Sequence, residues 1–82
     1  MALTIRYFAA LRDAMGRSEE TLPFEAGETG EGLTARIAAA DGRASALLHP
    51  STRLIVNDEI APRALSLQDG DTIAFCPPFS GG

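Results

Sequence analysis

Hydrophobic and polar residues alternate from Leu3 to Phe8, with Leu3, Ile5 and Tyr7 on one side, which predicts a strand with one buried face. Ala9 to Met15 then favours a short helix, and Gly16 is a natural stop after it. Alternation resumes from Glu19 to Phe24, placing Glu20, Leu22 and Phe24 together; Pro23 restricts one edge of this second strand. An acidic, glycine-rich stretch from Glu25 to Gly32 leads into a helix. There Leu33, Ile37 and Ala40 recur at helical spacing, with Thr29 as N-cap, Glu31 near the positive end of the dipole and Asp41-Gly42 at the stop.

Ala44 to Leu48 adds a further helical turn before His49-Pro50. Arg53 to Asn57 is the strongest strand of the second half, and Asn57-Asp58 turns the chain into a short strand around Glu59 to Ala61. Leu65 and Leu67 are expected to plug the core from an irregular stretch. Asp69-Gly70-Asp71 forms a turn before the final strand, Thr72 to Cys76. Strand, strand, helix, then two or three strands predicts an α+β roll: a mixed sheet of four or five strands packed on one main helix. Residues 1–76 form the domain and 77–82 a tail outside it.

At 82 residues, with 45% hydrophobic and 22% charged positions, the chain has room for one small core but not for a separate cofactor domain. A domain of this size buries only about 60% of the surface its unfolded form exposes. The net charge of −4, with no basic stripe, argues against nucleic-acid binding, where phosphate neutralisation dominates affinity. All seven cations are arginine. Their choice matches an Arg- and Ala-rich bias; a functional reading is that no internal amine competes for an activated C-terminus.

The first fifteen residues carry Arg6, Arg12 and Asp13, which interrupt any apolar run a signal peptide would need. No segment approaches the roughly 18 apolar residues of a membrane span, so a cytoplasmic protein without membrane partners is expected. One cysteine, Cys76, excludes an internal disulfide and fits a reducing compartment; one His and one Cys make no metal cluster, and no bound cofactor is expected. His49 reads as a surface loop residue. Gly27, Gly30 and Gly32 make no phosphate loop, because no Gly-Lys-Ser/Thr follows and Glu25, Glu28 and Glu31 would repel phosphate.

With no catalytic set inside the body, the chemistry falls to the ending, Phe75-Cys76-Pro77-Pro78-Phe79-Ser80-Gly81-Gly82. Two prolines stiffen the exit from the last strand, and two glycines make a thin cord able to enter a narrow channel. Phe79 suits an anchor for a docking tail. A carboxylate becomes a good electrophile once ATP converts it to an acyl-adenylate, and an unbranched Gly82 leaves that carbonyl unhindered. The bland alternative is a frayed terminus.

The sequence resembles the MoaD family, the small subunit of molybdopterin synthase, over nearly its whole length. The resemblance rests on Ile5-Arg6-Tyr7-Phe8-Ala9-Ala10-Leu11-Arg12 with Gly16 after it, Glu20-Thr21-Leu22-Pro23 and Val56-Asn57. It also rests on Leu67-Gln68-Asp69-Gly70-Asp71 and the ending Phe75 to Gly82. It implies a ubiquitin-like β-grasp fold and a sulfur carrier. A ubiquitin-activating-like adenylyltransferase would use Mg-ATP to adenylate Gly82, and a persulfide sulfur donor would convert it to a thiocarboxylate. The tail would then deliver sulfur inside the molybdopterin synthase large subunit to cyclic pyranopterin monophosphate, where the catalytic lysines belong.

On the same resemblance, Gly82 is the covalent site and Gly81 gives clearance. Pro77, Pro78 and Phe79, with Ser80 and Cys76, would line the tail's entry to the partner, and Phe8 and Phe75 are candidates for core or interface. The family carries a bulky apolar residue where this chain has Cys76, which bears on the subunit contact and not on the tail chemistry. The family also implies a dimer of heterodimers. Competing readings are the thiamine-pathway sulfur carrier, whose chains tend to lack the helical turn of Ala9 to Met15, a protein modifier conjugated through Gly82, and an interaction module with an inert tail.

Overall fold

A computed structural model describes residues 1–77. Strand β1 (Ala2–Tyr7) leads through helix α1 (Ala10–Met15) into β2 (Glu19–Pro23), and α2 (Gly30–Ala40) follows. A 3₁₀ helix (Gly42–Leu48) precedes β3 (Arg53–Val56), β4 (Glu59–Ala61) and β5 (Thr72–Cys76). The five strands form one mixed sheet in the order β2-β1-β5-β3-β4. The first and last strands are thus neighbours at its centre. They run parallel, with Ile5 opposite Ile73 and Tyr7 opposite Phe75, while β5 pairs antiparallel with β3.

Because strand side chains alternate, this register sorts the sheet into two faces. Leu3, Ile5 and Tyr7, Ile73 and Phe75, and Leu54 and Val56 form the inner one, buried beneath Leu33 and Ile37 of α2, Leu11 and Met15 of α1, and Ala44 and Leu47 of the 3₁₀ helix. Ala44 and Leu47 are three apart, the spacing at which 3₁₀ side chains eclipse. Tyr7 and Phe75 stack with ring centroids 6.1 Å apart. The Tyr7 hydroxyl donates to Glu20 Oε2 at 2.6 Å, and Arg17 reaches the same carboxylate at 2.8 Å. Burial first, then the Glu20 carboxylate, raises the Tyr7 pKa far above the ordinary phenol range.

Local chemistry explains where the elements stop. Gly16 closes α1 in the left-handed conformation at φ 73° and donates its N–H to Arg12 O. Asn57 and Asp58, at φ 50° and 71°, supply the two positive-φ positions of a two-residue hairpin, with Val56 facing Glu59. Asp71 accepts from Gln68 N and Asn57 Nδ2, and Thr72 N donates back to Asn57 Oδ1, lacing the two turns that flank the central strands.

The start of α2 is fixed from outside the helix. Its first free N–H groups find acceptors in sequence: Gly30 donates to Leu65 O, Glu31 to Arg63 O, Gly32 to Thr29 Oγ1 and Leu33 to Thr29 O. That clasp explains one departure from expectation. Leu65 turns its carbonyl inward to the helix, and its side chain is left 38% exposed; Leu67 alone plugs the core. Ala40 is also exposed, since the last helical position opens beside Arg17, Leu22 and Asp41, and the buried face of α2 consists of Gly30, Leu33, Thr34 and Ile37.

Candidate functional site

The central strand β5 carries the chain out of the sheet. Its last residue, Cys76, is opposite Arg53 of β3, and Phe75 O accepts from Phe8 N at 3.2 Å, tying the exit to the end of β1. The outer face, which no helix covers among the described residues, follows from the same register. One row across the strands runs Glu19, Arg6, Ala74, Ile55, Ile60; the next pairs Cys76 with Arg53. Arg6, Phe8, Ile55, Asp58, Thr72, Ala74 and Cys76 line a shallow depression of about 250 Å³ on this face.

This surface is apolar at its centre and charged around it. Phe8 is 40% exposed and Ile60 69% exposed, large values for side chains of this kind. The Arg6 guanidinium lies 5.4 Å from the Phe8 ring centroid and 3.5 Å from Glu19, so it is held over the ring by a cation–π contact and an ion pair. Cys76 is half-buried, and that burial pushes its thiol pKa up, away from the reactive thiolate. Among the described residues no cluster of three or more His, Cys, Asp or Glu is placed to hold a metal ion, and no helix is long and apolar enough to cross a membrane.

Of the residues singled out from the sequence, Phe8 and Cys76 meet on the outer face and Pro77 follows them, half-buried. Phe75 does not join them. At 0% exposure, stacked on Tyr7, it belongs to the core, and its assignment to partner contact is corrected: β5 alternates, so the neighbour of an outward Cys76 must point inward. Pro78, Phe79, Ser80, Gly81 and Gly82 lie outside the described residues. Arg6, Arg53, Ile55 and Ile60 were not anticipated as part of a site. Their outward parity was readable within each strand, but only the pairing order brings Arg6, Arg53 and Ile55 beside Phe8 and Cys76, with Ile60 next to Ile55 at the edge of the same face.

The sequence model of the ThiS family matches residues 5–82. A molybdopterin synthase sulfur carrier subunit from Chlamydomonas reinhardtii is 31% identical over 83 residues, covering 100% of both chains. Among solved structures, SAMP1 from Haloferax volcanii superposes with a TM-score of 0.86 at 21% identity, with 100% of each chain covered. Subunits 1 and 2 of molybdopterin-converting factor from Helicobacter pylori, solved as a protein–protein complex, include a chain matching at a TM-score of 0.72 and 22% identity, again over 100% of both. At these identities the structures establish the fold, a ubiquitin-like β-grasp.

Proposed function

The chain belongs to the ThiS family, and on that premise we propose that it is a sulfur carrier serving as the small subunit of a molybdopterin synthase. The observation that carries this reading is that Pro77-Pro78-Phe79-Ser80-Gly81-Gly82 follows in sequence on the central strand, whose last residue, Cys76, lies with Phe8 and Ile55 on a face that no helix covers among the described residues. Full-length similarity to a relative named for molybdopterin synthase favours that pathway over thiazole synthesis.

In this reading the body is a handle and the Gly82 carboxyl group is the cargo site. A carboxylate oxygen of Gly82 attacks the α-phosphate of Mg-ATP on an adenylating partner, and pyrophosphate leaves. The terminal sulfur of a persulfide donor then attacks the acyl carbon and expels AMP. A thiol cleaves the resulting S–S bond, leaving the thiocarboxylate and a disulfide. The large synthase subunit receives the tail and passes its sulfur to cyclic pyranopterin monophosphate. Phe8, Ala74 and Ile55 supply the apolar centre of the docking face, Ile60 extends it to the edge strand, and Arg6 and Arg53 supply its positive charge.

Molybdopterin formation in cells that depend on this chain tests the proposal. Deleting Gly81 and Gly82 should abolish the cofactor while leaving the folded body intact, and Phe8→Ser should reduce it by weakening subunit contact. Undiminished molybdopterin from the deletion variant would exclude the carrier role.

A further inference from the structure

An activated acyl group is hazardous to its own carrier, because any nearby amine converts it irreversibly to an amide. Every side-chain cation in this chain is a guanidinium: there are seven arginines and no lysine. A guanidinium stays protonated at physiological pH and does not attack acyl carbon, whereas a lysine supplies some free amine. The distinction matters most where the chain leaves the sheet. There Arg6 is in register with Ala74, and Arg53 with Cys76, the last residue of the strand before Pro77.

The remaining amine of the 82-residue chain, on Met1, is at the other end of the sheet. It sits 4.0 Å from Asp69, and Gly70 N donates to Ala2 O at 3.0 Å. Since β1 runs parallel to β5, that corner precedes the central strand while the tail follows it. At a rise of about 3.3 Å per residue, the span from Gly70 to Cys76 is about 20 Å. Residues 77–82, fully extended, reach at most about 22 Å, so the Met1 amine lies at the limit of that reach. Cys76 is no trap either, since capture by a thiol gives another thioester, still open to exchange.

We infer that the chain is organised to carry an activated C-terminal acyl group without a lysine acceptor of its own, keeping positive charge beside the end of the central strand in a form that is not acylated. The inference rests on the carrier reading above. Discharge is then confined to other molecules. If amines of another protein capture the group, each modified amine holds a single copy of this chain, because a second copy finds no lysine on the first.

The experiment supplies activation chemically. The 82-residue chain is prepared as a Gly82 thioester by intein thiolysis, alongside R6K and R53K, which keep the charge and add an amine. All three are incubated dilute at mildly alkaline pH and followed by intact mass. Internal capture forms a C–N bond, breaks the C–S bond and releases the thiol, giving a mass one water below that of the hydrolysed acid. Wild type should yield only the acid. The two lysine variants should yield the internal amide, with thioester lifetimes shortened several-fold by an effective amine concentration of order millimolar.

Amide in wild type at a rate matching the variants would overturn the inference, as would hydrolysis alone in both variants. No partner enters this assay, so its failure would leave the carrier reading standing, and absence of sulfur on the cellular protein would leave this result untouched.

Discussion

Replacing Gly30 by alanine sets helix propensity against packing, and the structure decides between them. Alanine is better than glycine by about 0.8–1.0 kcal/mol in a helix interior, and less at the first helical position. A Cβ at Gly30, however, would run into Leu54 Cδ2 and lie 3.2 Å from Arg63 O. Leu54 is 2% exposed in the core, and Arg63 O accepts from Glu31 N at 2.8 Å, so neither neighbour moves without loss. Overpacking of this kind costs about 1–3 kcal/mol, which exceeds the propensity gain.

The expected net effect is a destabilisation of about 1–2 kcal/mol, read as a lower urea midpoint at unchanged m-value. Gly32, two residues on, is the internal control. Its Cβ would meet only Thr29 Oγ1 at 3.5 Å and Glu28 Cγ at 3.6 Å, ordinary contacts, so Gly32→Ala should stabilise by about 0.5–1 kcal/mol. Equal stabilisation by both substitutions would refute the close approach of α2 to β3 and to the loop after β4. That approach matters to function because the loop clasped at Gly30 feeds β5 into the centre of the sheet.

Three further outcomes are expected. Ala9 adopts φ 53° and ψ −129°, a conformation suited to glycine; Ala9→Gly should therefore raise stability by about 1 kcal/mol and Tm by about 4–8 °C, and a lower Tm would contradict it. Arg63 donates to Thr34 Oγ1, His49 O and Thr52 O at 3.2, 3.4 and 2.9 Å, so Arg63→Ala should cost about 2 kcal/mol in urea unfolding. A lysine there, lacking the planar fork, should not restore it, and a loss below about 0.5 kcal/mol would count against the clamp. Asp41 is lowered from 3.8 to about 2, first by the Arg43 side-chain hydrogen bond and then by the Arg43 backbone N–H. Its contribution is complete above the unfolded pKa and fades as pH falls from about 4 through about 2, so Asp41→Asn should flatten that segment of the stability profile. An unchanged acid limb in the variant would oppose this assignment.

Local signals carried much of the architecture. Alternation marked β1 and β2, Gly16 and Thr29 marked helix ends, and Asn57-Asp58 marked a hairpin, because each is a property of a few consecutive residues. What escaped depended on contacts distant in sequence. Leu65 is apolar, yet its backbone carbonyl, not its side chain, is what the fold uses, and no pattern in the stretch announces that. Phe75 was left open between core and interface, and strand parity assigns it to the core while turning Cys76 to the surface. The outer face needed one more fact, that β5 lies between β1 and β3, before Arg6, Ile55 and Arg53 could be placed around the chain's exit.

The central claim is chemical: the body exists to present the Gly82 carboxyl group for charging with sulfur. Its most direct test is the intact mass of the protein recovered from cells that contain its partners, with fragmentation to locate any change. The account predicts a fraction in which one oxygen of Gly82 is replaced by sulfur. Protein that carries only an unmodified carboxylate, or whose Gly82 occurs only in amide linkage to other proteins, would contradict it.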